Sequence, residues 1–105
     1  MTHADVISMI DEMRIPFAYD HFAEGEAPNP PFITFLYPES NNFAADGVVY
    51  FKKNKLHIEV YSDMKEPELE AAVETVLDAH NLFYNKNEVW IPEERLYEVL
   101  YELEV

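Results

Sequence analysis

Two stretches of the chain place their apolar side chains at the spacing of an α-helix. In residues 2–14 the apolar positions that share one side of a helix are Val6, Met9, Ile10 and Met13. Thr2, followed three residues later by Asp5, has the pattern of a capping box. Pro16 restricts the residue before it to extended backbone, so we expect this helix to end by residue 14.

The second helical stretch covers residues 63–80. Its single apolar stripe consists of Leu69, Ala72, Val73, Val76, Leu77 and His80. Asp63 and Glu66 are placed to form a capping box, and Pro67 is acceptable in a first helical turn. A helix with one apolar stripe is expected to lie across a sheet.

Strict alternation of apolar and polar residues predicts β-strands in two further stretches. Residues 97–105 alternate over nine positions, which is typical of a half-buried strand. Residues 55–62 place Leu56, Ile58 and Val60 on one face, opposite His57, Glu59 and Tyr61. We expect this strand to form a hairpin with residues 48–52 through a turn at Lys53 and Asn54, because Asn tolerates positive φ.

The remaining apolar runs complete a predicted α+β fold. Residues 17–22 alternate, residues 32–37 form a strand covered on both faces, and two short strands are expected at 82–84 and 89–91. Residues 24–31 and 38–46 are predicted loops. The predicted order is α-β-β-β-β-α-β-β in one domain over residues 1–105, with a mainly antiparallel sheet and two helices packed on one of its faces.

Charge and composition narrow the possible functions. Seven Lys and Arg against 21 Asp and Glu give a net charge of −14, which disfavours clamping of nucleic acid and attraction to anionic membranes. Without cysteine, disulfides, thiol catalysis and zinc-thiolate sites are excluded. No apolar run is long enough to span a membrane, and the N-terminal residues 1–5 lack the basic and apolar regions of a signal peptide, so we expect a protein retained in a cytoplasm.

The sequence offers no set of residues typical of catalysis. The four histidines lie in separate predicted elements, and the one candidate pair of metal ligands, His57 and Glu59, is more simply explained as part of a cross-strand surface pair. Neighbouring carboxylates are frequent in so acidic a chain and carry no specific signal. We therefore predict no enzyme activity, no catalytic residue, no cofactor and no bound metal.

Aromatic and basic residues point to protein contacts. Candidate interface anchors near loops and strand ends are Tyr37, Phe43, Tyr84 and Trp90, and packing in the core is an equally good explanation for each. Lys52, Lys53 and Lys55 cluster at the predicted hairpin tip. A basic tip on an acidic body suits head-to-tail association of identical subunits, although a solvated turn explains it as well.

Segments along nearly the whole chain resemble small proteins from the head–tail region of siphophages and Gram-positive prophages. The resemblance lies in residues 16–19, 22–28, 38–47, 56–70 and 96–102. Its most specific parts are Phe-Ala-Ala-Asp-Gly-Val-Val-Tyr at 43–50 and Glu-Val-Tyr-Ser-Asp-Met-Lys-Glu-Pro-Glu-Leu-Glu at 59–70. Proteins of this group are called tail completion, tail terminator or head–tail joining proteins.

The resemblance implies a structural role in the tail and neck of a virion assembled in the host cytoplasm. Related terminators are small α+β proteins whose hexameric rings cap the tail tube and face the head connector, so the implied partners are identical subunits, the tail tube protein and connector proteins. DNA would pass nearby without being bound tightly. The family has no metal, cofactor or catalytic motif. The alternative is a small acidic protein that mimics DNA and occupies the basic groove of a host protein.

Overall fold

The computed structural model describes residues 1–39 and 54–105 together with the backbone of residues 43–45 and 48–51. The two helices are α1 (His3–Asp11) and α2 (Pro67–Ala79). The strands are β1 (Phe17–Tyr19), β2 (Phe32–Leu36), β3 (Phe43–Ala45), β4 (Val48–Phe51), β5 (Lys55–Ser62), β6 (Tyr84–Ile91) and β7 (Leu96–Glu104).

The main sheet has five strands in the order β1-β2-β5-β7-β6. β1 runs parallel to β2, and the other neighbours in this sheet are antiparallel. β3 and β4 form a separate antiparallel pair. The α+β class is therefore confirmed, with a mixed sheet that is mostly antiparallel.

One face of the main sheet and both helices form the hydrophobic core. The sheet contributes Ile33, Phe35, Leu56, Ile58, Val60, Val99, Tyr101 and Leu103, which the strand registers place on the same face. The helices and the segment after α1 contribute Val6, Met9, Ile10, Met13, Ile15, Val73 and Leu77. The alternation predicted for residues 55–62 and 97–105 is confirmed, because the buried positions follow it. We call the opposite face of the sheet the open face.

The start of α1 follows the prediction from the sequence. The backbone N–H of Asp5 donates to the Thr2 hydroxyl, and the backbone N–H of Thr2 donates to the Asp5 carboxylate, which completes the capping box. The helix ends at Asp11, earlier than predicted, and Arg14 has a φ of 59° in the left-handed region. Pro16 therefore prevents the helix from continuing past it, but the helix ends several residues earlier, at Asp11.

The predicted capping box of α2 is wrong. The helix begins at Pro67, and its N-cap residue Glu66 makes no side-chain capping hydrogen bond. Ala72, assigned to the apolar stripe, is exposed, whereas Glu70 is only 4% exposed. The buried side of α2 therefore includes a carboxylate, whose partners are described below.

The predicted hairpin between residues 48–52 and 55–62 is also wrong. β4 pairs with β3, which lies in a stretch predicted to be a loop, and β5 pairs with β2 and β7. Asn54, the described residue of the predicted turn, exchanges backbone hydrogen bonds with Val105. The dipeptide Asp46-Gly47 between β3 and β4 in the sequence is a stronger hairpin signal than Lys53-Asn54. The element order therefore contains one more strand than predicted.

Two strands differ in length from the prediction. Residues 82–84 and 89–91 do not form two short strands, because β6 continues from Tyr84 to Ile91 along the whole length of its pairing with β7. β1 ends at Tyr19, and the next residue, Asp20, has a φ of 62° that extended backbone does not adopt. The polar residues in the middle of β6 do not predict a strand, and they adopt one because they pair with β7.

Candidate assembly surface

β6 forms one edge of the main sheet. It pairs with β7 over eight residues, and its other side faces no strand within the described part of the chain. The backbone N–H and C=O groups on such an edge can pair with a strand from another chain. The opposite edge is formed by β1, which has only three residues. β6 is therefore the longer of the two edges available for pairing.

Large apolar side chains are exposed along β6 and just before it. Phe83 is 82% exposed, Val89 51% and Trp90 43%. Val89 lies opposite Glu98 on the open face, while Trp90 lies on the helix-bearing face with its ring 4.8 Å from that of Tyr97. Exposed apolar groups beside an unpaired strand edge are typical of a surface that another protein covers.

Two glutamates of α2 hold the helix-bearing side of β6. Lys86 Nζ lies 2.7 Å from Glu70 Oε1 and 2.8 Å from Glu74 Oε2. The hydroxyls of Tyr101 and Tyr84 donate to the same Glu74 carboxylate at 2.7 and 3.2 Å. The lysine and both phenols thus join α2 to β6 and β7 through charge-assisted hydrogen bonds.

Glu70 is the most buried charged residue of this cluster. Its second oxygen, Oε2, lies 2.8 Å from Lys65 Nζ, which also contacts Glu88 Oε2 at 3.1 Å. Burial works to raise the pKa of Glu70, but the hydrogen bonds from Lys65 and Lys86 outweigh it and hold that pKa below its usual value. These ion pairs fix the position of the edge strand, and sequence periodicity did not reveal them because Glu70 resembles a solvated helix residue.

A second acidic pair lies on the open face. Glu59 of β5 and Glu98 of β7 are within hydrogen-bonding reach of one another, and the Tyr61 hydroxyl donates to Glu59 Oε2 at 2.5 Å. Burial, followed by the hydrogen bond and charge of Glu59, raises the pKa of Glu98 to about 7. The Glu98 carboxyl group therefore keeps its proton to about neutral pH. We call the two carboxyl groups the Glu59–Glu98 pair.

Apolar and hydroxyl side chains surround the Glu59–Glu98 pair. Tyr61 stacks on Phe32 at 5.1 Å between ring centroids, and Phe22 packs against Phe32 from the loop before β2. Thr34 lies directly opposite Glu59 in the register of β2 and β5. Thr34 is 5% exposed, and its hydroxyl lies close enough to the Tyr61 hydroxyl to act on its pKa. The open face therefore presents buried acceptors within an apolar surround.

A groove of about 590 Å³ lies at the end of the sheet where β6 begins. Its lining includes Phe83, Asn85, His57 and Glu102. His57 Nε2 is 3.7 Å from Glu102 Oε2, so the cross-strand interpretation of His57 is confirmed, and Glu102 rather than Glu59 is its partner. The groove adjoins the exposed start of β6 and extends the same surface.

The predicted aromatic anchors have different environments. Tyr37 is half-buried, with its hydroxyl 2.7 Å from His3 Nδ1 and its backbone N–H donating to the Tyr19 hydroxyl. Tyr84 packs against Tyr101 and is joined to α2 as described. Both residues contribute to internal packing. Trp90 remains exposed beside the edge, whereas the Phe43 side chain lies outside the described residues.

Of the three lysines in the predicted basic tip, Lys55 is the one that lies within the described residues. Lys55 Nζ lies 2.9 Å from Glu39 Oε1, and the backbone N–H of Lys55 donates to the carbonyl of Glu39. This internal ion pair raises the pKa of Lys55. Lys52 and Lys53 lie outside the described residues. The sequence prediction also missed Phe83, Val89 and the Glu59–Glu98 pair, whose contacts depend on strand register.

Neither a metal site, nor a membrane-spanning helix, nor a match to a known protein helps to assign a function to the described residues. Within residues 1–39 and 54–105, no three His, Cys, Asp or Glu side chains are grouped so as to hold a metal ion. No helix in the described part of the chain is long and apolar enough to cross a membrane. No protein-family model matches the chain, and no curated protein matches it.

Proposed function

We propose that this chain is a structural protein of the phage head–tail connection. It assembles into a ring, caps the tail tube and joins the tail to the head, in the manner of the tail completion and tail terminator proteins that its sequence resembles. The tail-terminator fold is part of this proposal. It acts by contact with copies of itself and with other virion proteins, and it makes or breaks no covalent bond.

The observation that carries the proposal is the outer edge of β6, which pairs with no strand in the part of the chain that the structure describes. An eight-residue edge strand, with Val89 and Trp90 exposed and its position fixed by Lys86, supplies both main-chain pairing groups and apolar contact area. A rigid edge needs little ordering when a neighbour binds, which favours assembly. The described lysines are already paired with glutamates, which supports weak contact with DNA passing nearby.

Deletion of the gene from a phage that carries it tests the role directly. Electron microscopy of the resulting particles should show overlong tails, or heads and tails that remain unjoined. Complementation with the intact gene should restore normal virions. Virions of normal tail length and normal joining in the deletion strain would reject the proposal.

A charge placed on the edge tests the assembly surface. Val89→Lys adds a lysine beside the unpaired backbone of β6 and should reduce self-association at least about tenfold, because a charge at an interface core must be desolvated. Ile7→Lys, at an exposed position of α1, is the matched control. Sedimentation velocity over a concentration series, alone and with tail tube ends, measures the difference. Equal association of the two variants would contradict the assignment of β6.

The alternative, a DNA mimic that binds a host protein, gives a different outcome. The acidic open face, with Glu59, Glu98 and Glu102, is the observation that favours it. A DNA mimic remains a monomer or dimer in the presence of tail tubes, and its gene is dispensable for virion assembly. The deletion experiment therefore separates the two functions.

A further inference from the structure

We infer that two copies of this chain pair through their β6 edges, antiparallel to one another and about a two-fold axis that passes between the two Asn87 residues. The inference rests on the proposed function in one respect, since it takes this edge as a contact between copies of the chain. It adds which strand covers the edge of an unassembled subunit, and in which register.

The sequence of β6 is complementary to itself when two copies run in opposite directions. With the axis at Asn87, Lys86 of each copy lies opposite Glu88 of the other. Residues that oppose one another in an antiparallel pair lie on the same face of the sheet, so the helices of both copies lie on one side. The other opposed positions within β6 are Tyr84 with Trp90 and Asn85 with Val89.

Charge favours this register over the two that adjoin it. An axis at position 86 would place two lysines directly opposite one another, and an axis at position 88 would do the same with two glutamates. Like charges in opposed positions destabilise a strand pair, whereas opposite charges stabilise it. Among the three registers centred on residues 86–88, the axis at Asn87 is therefore the favoured one.

The same register covers the apolar side chains that are exposed at the edge. Trp90, on the helix-bearing face, meets the Tyr84 ring of the second copy, and aromatic pairs of this kind are favourable. Val89 is covered on the open face, and Phe83, just before β6, comes level with Ile91 of the second copy. One contact between identical strands thus removes all three exposed apolar groups of this edge from water.

Lys86 does not prevent pairing, although an exposed lysine on an edge strand usually does. Its Nζ lies 2.7 Å from Glu70 Oε1 and 2.8 Å from Glu74 Oε2, so its charge is already balanced within the subunit. Glu88 Oε2 is likewise 3.1 Å from Lys65 Nζ. These ion pairs hold β6 in place before a second copy arrives, so the strand loses little freedom on pairing.

The two-fold pair is the form of the subunit before the ring assembles. A two-fold contact joins the same surface of both copies and is complete after two, whereas neighbours around a ring join two different surfaces. The pair therefore stops at a dimer and covers the β6 edge until a ring neighbour replaces the second copy. A covered edge is also protected from random pairing with other strands.

The variant Asn87→Cys tests the register, because residue 87 faces its own copy across the axis. The chain has no native cysteine, so this variant carries a single thiol. Opposed residues of an antiparallel pair have Cα atoms about 4.5–5.5 Å apart, which a disulfide bridges without distortion. Mild oxidation of the full-length variant should convert most of it to a covalent dimer on non-reducing electrophoresis.

The variant Asn85→Cys is the matched control. It replaces the same residue type, also exposed, on the same strand and the same face. The two copies of residue 85 would lie four positions apart, or about 14 Å along the strand, so this variant should give no covalent dimer. A mixture of Asn85→Cys and Val89→Cys chains should form a mixed disulfide, since these two positions oppose one another.

The variant Glu88→Lys tests the charge pairing. It places a lysine opposite Lys86 at two points of each dimer, and it should raise the dissociation constant measured by sedimentation equilibrium at least about tenfold. Glu26→Lys makes the same change of charge in the exposed loop before β2, at the other edge of the sheet, and should leave that constant nearly unchanged. Far-ultraviolet circular dichroism confirms that each variant is folded.

Four results would overturn the inference. They are a native chain that stays monomeric at its highest soluble concentration, no covalent dimer from Asn87→Cys, equal yields from Asn87→Cys and Asn85→Cys, and equal dissociation constants for Glu88→Lys and Glu26→Lys. An edge that is covered by a strand of another protein would give the first two.

The virions of the deletion strain decide the proposed function separately. Normal virions together with the Asn87→Cys dimer would reject the role in the virion and keep the strand pairing. Defective tails or unjoined heads together with a failed cross-link would keep the role and show that the β6 edge meets a partner other than its own copy.

Discussion

Replacement of Glu98 by Gln should remove most of the pH dependence that the Glu98 carboxyl group gives to the free energy of unfolding. The folded protein holds the Glu98 proton to about pH 7, while in the unfolded chain this carboxyl group titrates near its ordinary value of 4.5. Between these two values the folded state binds the proton more tightly than the unfolded state. Stability therefore falls as pH rises from about 4.5 to 7 and then levels off.

The size of the effect follows from the separation of the two pKa values. From 4.5 to about 7 is a gap of about 2.5 pH units, which corresponds to an upper limit of about 3.4 kcal/mol. Glu98 is only half-buried, so water screens the pair, and we expect about 1–2 kcal/mol to be observed. The Glu98→Gln variant retains an amide donor for Glu59 but carries no titrating proton at this position.

Urea unfolding from pH 4.5 to 8.5, at a concentration where the protein is monomeric, measures the effect. The stability of Glu98→Gln relative to the native chain should increase by about 1–2 kcal/mol across this range. Glu93→Gln, in the exposed turn between β6 and β7, controls for the loss of one negative charge. Parallel stability profiles for Glu98→Gln and the native chain would show that this proton is not held by the folded state.

Two further substitutions test the internal supports of the fold. Glu70→Ala should destabilise the protein by about 1–3 kcal/mol in urea unfolding, because Lys86 loses one of its two carboxylates. A loss no larger than that of the exposed Glu68→Ala would show that the Glu70–Lys86 ion pair does not support the fold. Thr2→Ala should lower the free energy of unfolding by about 1 kcal/mol, because α1 loses its N-terminal cap. An equal decrease for the exposed Ser8→Ala would show that the capping box does not support the helix.

Local patterns in the sequence predict the faces of the elements well. Alternation in β5 and β7 identifies the buried side because a strand has a period of two whatever its neighbours are. The apolar side of α1 and its capping box depend on residues within one or two turns of each other. These features are decided by short-range geometry, which a single sequence contains.

Pairing between distant strands is not contained in these patterns. The sequence favours pairing of β5 with the adjacent β4, but its partners β2 and β7 are separated from it by long stretches of chain. The Glu59–Glu98 pair exists only because the register of β5 and β7 brings the two residues together. The burial of Glu70 likewise depends on Lys86, which a strand rather than the same helix supplies. Of the exposed apolar residues at the edge, only Trp90 is predicted from the sequence.

The central position of β7 has a consequence for biosynthesis. β7 lies between β5 and β6 and provides Val99, Tyr101 and Leu103 to the core, yet it follows both of these strands in the chain and is synthesised after them. Until it leaves the ribosome, β5 and β6 each lack a neighbour within the main sheet. Compaction of the nascent polypeptide therefore waits for residues 96–104, and a product truncated before them would leave β6 unpaired and one side of β5 open to chaperones and proteases.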